Sequence, residues 1–144
     1  NFSYLIFLSV VAALGGFLFG YDAAVISGTI SQVTVKFGLD EIQIGWFVGC
    51  ALIGSIIGVL FAGKLSDMWG RKVTMLIAAV FFQYQVLAVH LVTLWNNWCL
   101  HVCWEGIGIG IVSVVSPLYI SEVSIAQYRG RLVALYQLAI TIGF

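Results

Sequence analysis

The chain has 144 residues, 62% of them hydrophobic and only 8% charged, and its six cations balance six anions. Soluble domains carry roughly 25% charged residues, so the composition excludes a water-soluble fold and points to an all-α membrane protein. With zero net charge, the placement of the few cations is more informative than their sum, and no nucleic-acid partner is expected.

A spanning helix needs about 20 mostly apolar residues to cross a hydrocarbon core of roughly 30 Å. The first such segment runs from about Tyr4 to Gly28 and is interrupted by Asp22. An ionisable group inside a membrane helix is costly unless it is paired or faces water, so Asp22 is a functional candidate by default. The second segment runs from about Ile42 to Ala62, the third from Val73 to Leu94, and the fourth from Trp98 to Ile120. A fifth, from Leu132 to Phe144, provides about 13 residues, or roughly 20 Å of helix, which is too short to span. The chain begins at Asn1 and stops inside an apolar run, and it is expected to be incomplete.

Between the second and third segments lies Gly63-Lys64-Leu65-Ser66-Asp67-Met68-Trp69-Gly70-Arg71-Lys72, a polar tight turn holding three of the six cations. Arg129 and Arg131 follow the fourth segment, and only Lys36 lies in the first loop. The excess of Lys and Arg places the second-third and fourth-fifth loops, and with them Asn1, in the cytoplasm. The expected location is a multi-pass protein of the plasma (inner) membrane, in contact with the lipid bilayer.

Gly16 and Gly20, Gly54 and Gly58, and Gly106 and Gly110 each place two small residues one turn apart on a helix face. Such faces let helix backbones approach closely in a bilayer. Pro117 is the only proline and is expected to break or bend the fourth helix. Cys50, Cys99 and Cys103 lie in apolar segments without a Cys-x-x-Cys pair, and read as small buried hydrophobes. No metal or nucleotide motif is present, so no cofactor and no catalytic residue are expected.

Taken together, these residues resemble the sugar porter family of the major facilitator superfamily. The run Gly15 to Gly28 is close to the family's opening, and Gly63 to Lys72 matches its Gly-x-Leu-x-Asp-x-x-Gly-Arg-Lys pattern at every fixed position. Ser116 to Glu122, with Arg129-Gly130-Arg131, is similar to the end of its fourth helix and the following loop, and Gln137 to Ile140 to its fifth. The resemblance implies the N-terminal part of a helical bundle: four complete transmembrane helices plus a truncated fifth. A missing C-terminal half would then be its partner.

The implied function is secondary active sugar transport by alternating access, of the proton-coupled xylose, arabinose or glucose type. The segment alone is not expected to transport. Gly63, Asp67, Gly70, Arg71, Lys72, Glu122, Arg129 and Gly130 would form a cytoplasmic gating and charge network. Asp22 would exchange the proton, its partner in coupling. Gln137 and Phe19 would contact a monosaccharide: an amide offers two donors and an acceptor to sugar hydroxyls, and the aromatic ring a stacking surface. Interhelical packing is the alternative role for both.

The match collapses from Gln83 to Glu105, where Gln83, Gln85, His90, Asn96, Asn97, His101 and Glu105 burden two membrane helices with polar groups. The family expects an arginine five residues before Ile107, as partner of Asp22. Reading these codons one base out of frame restores it: back-translation of His101 with Val102 permits Arg, and Leu-Gly-Gly then leads into Ile107. The shift would begin at the codons of Phe81-Phe82 and end at those of Glu105-Gly106, and a frameshifted reading of this stretch is expected. Two further functions remain open, a facilitative sugar or polyol carrier and a non-transporting membrane subunit or inert product of a damaged gene.

Overall fold

The computed structural model describes residues 2–91 and 95–144, and of residues 2, 86, 88–91 and 95–98 the backbone alone. Five helices follow one another: α1 (Phe2–Phe37), α2 (Glu41–Trp69), α3 (Arg71–Leu91), α4 (Trp95–Val123) and α5 (Arg129–Gly143). The expected end of the third segment at Leu94 lies outside the described residues, as do the side chains of His90, Asn96 and Asn97.

Each helix satisfies its own backbone hydrogen bonds, the one solution open to a single segment in lipid. Hydroxyls within the helices follow suit: Ser9, Thr34 and Thr74 donate to the carbonyls of Leu5, Ile30 and Gly70 at 2.7–2.9 Å, the usual local bond for these residues. The helices run past the apolar segments that define them. At 36 residues, α1 is about 54 Å long and continues well beyond Gly28. The decapeptide Gly63 to Lys72 is likewise no extended loop. Its first part is the end of α2, its last part the start of α3, and Gly70 alone joins them at φ 82°. Only glycine takes that conformation without strain. Pro117 does not break α4, which continues through it to Val123.

Among the described residues three helices are long and apolar enough to cross a membrane: Ser3–Phe37, Glu41–Trp69 and Cys99–Val123. Large apolar side chains such as Tyr4, Phe7, Leu60 and Phe61 are exposed along the helices.

Helix α4 is central and touches all four others. Its Gly106 and Gly110 lie against the carbonyls of Ala51 and Ser55 on α2, while Gly54 and Gly58 of α2 lie against the carbonyls of Cys103 and Ile107. Two of the small-residue pairs therefore face one another, and a methyl group on any of the four would run into backbone. The third pair acts similarly against α5, with Gly16 under Tyr136 and Gly20 under the carbonyl of Ile140. Around these seams Ala62, Ala78, Ile111, Val112 and Val115 form one buried cluster. Ala12, Ile120, Leu132 and Tyr136 form another.

Candidate functional site

Helix geometry brings Ser66 and Asp67 to the last turns of α2, and the one-residue joint at Gly70 turns Arg71 back toward them. Arg71 Nη1 donates to Ser66 Oγ at 2.7 Å and to Asp67 Oδ1 at 2.8 Å. The other edge of the same guanidinium serves α4: Nη2 donates to Glu122 Oε1 at 2.8 Å, and Nε lies 3.1 Å from both carboxylate oxygens. One cation thus ties the ends of α2, α3 and α4. Glu122, and then Asp67, hold the Arg71 guanidinium above the usual arginine range, so it stays charged at any physiological pH.

Of the residues expected in this network, the structure brings together Asp67, Arg71 and Glu122, with Gly63 and Gly70 in the helix end and joint beside them. Lys72, Arg129 and Gly130 are exposed and stand outside it. Ser66, which the sequence reading passed over, is inside. Its signal was its place directly before Asp67, on a helix that runs on to Trp69.

A second polar cluster lies within the bundle. Asp22 of α1 and Glu105 of α4 are close neighbours. Gln85 of α3 donates from Nε2 to Glu105 Oε2 at 2.8 Å. Glu105 thus has an amide donor. Two acceptors stay open, Asp22 Oδ2 and Gln85 Oε1, both buried and without a hydrogen-bond partner among the described residues. Unmet buried acceptors are costly.

Gln137 is exposed on α5 and Phe19 half-buried on α1. Neither lines the apolar groove between those helices, which is formed by residues such as Leu14, Phe17, Leu135 and Leu138. A groove of about 620 Å³ lies between α3 and α4 at Phe81, Tyr84, His101 and Trp104, away from Phe19, Asp22 and Gln137.

Comparison with known proteins gives the family. Residues 8–144 match the family described as Sugar (and other) transporter. The chain belongs to the sugar transporter family. It is 44% identical over 147 positions to the Glucose transport protein of Synechocystis sp., covering 99% of this chain and 31% of that protein. It is 36% identical over 169 positions to the D-xylose-proton symporter of Escherichia coli, covering 99% of this chain and 34% of that protein. The solved structure of the proton:xylose symporter XylE bound to 6-bromo-6-deoxy-D-glucose superposes with a TM-score of 0.86 at 35% identity. That match covers 99% of this chain and 36% of that one. The chain thus spans about a third of the length of these relatives. Membership makes it part of a multi-pass membrane protein.

Proposed function

We propose that this sugar transporter chain is the N-terminal part of a proton-coupled monosaccharide symporter that works by alternating access. The observation that carries the reading is Asp22, a carboxyl group set inside a membrane helix with one oxygen buried and unmet. Protonation from one side of the membrane neutralises it, and release on the other restores the charge. A cycle that allows both only with sugar bound couples the two fluxes.

Four complete membrane helices and a partial fifth would form most of one six-helix half. Phe19 and Gln137 would meet the sugar where the second half closes over them. Arg71, Asp67 and Glu122 would brace the cytoplasmic side, with Lys72, Arg129 and Gly130 on the same surface. The clustering of Lys and Arg at that end supports a cytoplasmic N-terminus and residence in the plasma membrane.

A facilitative carrier is the second reading, favoured by the carboxyl of Glu105, rather than a cation, standing against Asp22. Uptake by the full-length carrier in proteoliposomes separates the two. An imposed proton gradient should drive sugar above its equilibrium level, and a protonophore should abolish that accumulation. Flux that only equilibrates, with or without the gradient, would assign the facilitative role.

A further inference from the structure

The planar fork of Arg71 presents two edges, and fixing one fixes the direction of the other. The Nε–Nη2 edge faces Glu122 on α4, while Nη1 alone reaches back to α2. Two α2 side chains share that nitrogen at nearly equal distances, but they differ in their access to solvent. The Asp67 side chain is 75% exposed, where water and salt compete for an ion pair and its net strength is small. Ser66 is 2% exposed. Its hydroxyl is held in the helix by a single side-chain torsion. The bond it makes also crosses the Gly70 joint, so it ties the end of α2 to the first residue of α3.

We infer that Ser66 is the positioning residue of the charge network: its buried hydroxyl sets the edge that Arg71 offers to Glu122 and keeps that geometry when salt screens the exposed carboxylates. The inference rests on the transport reading for its role in the cycle, but not for the bond itself. Ser66 touches neither sugar nor proton site, and it acts through Arg71.

The test uses the full-length carrier with Ser66→Ala, Ser66→Cys and Ser66→Thr. Cysteine keeps nearly the volume of serine and is a poor acceptor, whereas threonine keeps the hydroxyl. Initial sugar uptake is measured between about 50 mM and about 1 M salt, a range over which the screening length falls to roughly 3 Å. Wild type and Ser66→Thr should lose less than about twofold, whereas Ser66→Ala and Ser66→Cys should lose about fivefold or more, in maximal rate and not in KM. A packing role would instead leave Ser66→Cys like wild type, and that result overturns the inference. Salt independence in both Ser66→Ala and Ser66→Cys, or a loss in Ser66→Thr equal to that in Ser66→Cys, also overturns it.

The thermal midpoint of the same purified proteins against salt is read in parallel. Should no version, wild type included, move sugar, the transport reading fails. A midpoint that falls with salt in Ser66→Ala and Ser66→Cys alone would still uphold the bond's role, and parallel curves for all four proteins would end it. Should Ser66→Ala fail to fold, the comparison of cysteine with threonine decides.

Discussion

Arg71 grips Glu122 with two of its nitrogens across 51 positions of sequence, and so pins the start of α3 to the end of α4. The shape of the contact matters, because a bidentate fork cannot be reproduced by a single ammonium point charge. Arg71→Lys and Glu122→Gln should each slow sugar uptake by the full-length carrier about tenfold through its conformational step. The Arg71 side chain is only 24% exposed and joins the ends of three helices, so the thermal midpoint should fall as well. The double variant should be no slower than either single one, as expected of two residues that act as a unit. Additive losses in a kinetic cycle of the four proteins would show that the pair is incidental.

Close backbone contact between α2 and α4 gives a second prediction. A methyl group on Gly58 would meet the carbonyl of Ile107, and one on Gly54 the carbonyl of Cys103. Backbone of a packed helix cannot step aside as a side-chain tip can. Gly54→Ala and Gly58→Ala should each cost about 1–3 kcal/mol. Gly28 has nothing within 4 Å of the corresponding position, so Gly28→Ala should be neutral or slightly stabilising. Thermal unfolding of the detergent-purified proteins, monitored by size exclusion, checks the contrast, and equal melting of all three would refute it.

How much of this was legible in the residues follows from the physics of each feature. Apolar runs and cation placement report transfer free energy directly, which is why five helical segments and the polar joint at Gly70 can be read from the chain. The Gly-x-x-x-Gly faces were visible for the same reason, although their pairing was not. That Gly54 and Gly58 meet Gly106 and Gly110 depends on which helices become neighbours. Helix ends were less legible: α1 runs on to Phe37 because helical hydrogen bonding does not stop where the apolar residues do. Pro117 does not end α4, since a proline inside a tightly packed helix need not stop it. In the site, Asp22 and Arg71 stood out by charge alone. Ser66 and the Gln85–Glu105 bond did not, because a neutral polar residue declares its partner only once the fold brings the two together.

Asp22 leads to a third prediction. Asp22→Asn keeps size and hydrogen-bonding capacity while removing the titrating group. In the full-length carrier it should abolish proton-driven accumulation and leave exchange of labelled sugar across the membrane partly intact. Counterflow and gradient-driven uptake, measured on the same vesicles, separate these outcomes. Undiminished accumulation would show that the coupling proton is carried elsewhere.

For Gln137, exposed on α5, sugar contact and helix packing predict different losses. Removing a hydrogen bond to a sugar hydroxyl should weaken binding by roughly 1–2 kcal/mol, or about five- to thirtyfold. Gln137→Ala should therefore lower sugar affinity in the full-length carrier while leaving its expression and melting nearly unchanged. Unaltered affinity, measured by equilibrium binding or KM, would return Gln137 to packing.

The last prediction concerns the codons for Gln83 through Glu105, and the bundle geometry sharpens it. Val102 is 3% exposed and lies three residues before Glu105, so both occupy one face of α4, the face that meets Asp22. An arginine at that position, which the shifted frame permits, would place a cation within a side chain's reach of Asp22. The same shift exchanges both ends of the Gln85–Glu105 hydrogen bond, so neither would be left as an orphan. A lone buried carboxylate facing a cation is a pairing a membrane bundle tolerates, whereas two neighbouring buried carboxylates repel one another and are costly. Sequencing the gene across codons 80 to 108 should therefore show one more T-side base near codons 81–82 and one fewer G-side base near codons 105–106. Clean reads that confirm the codons as written would refute the shift and leave Glu105 as the partner of Asp22. Glu105→Gln in the full-length carrier would then be expected to disturb proton-driven uptake as strongly as Asp22→Asn.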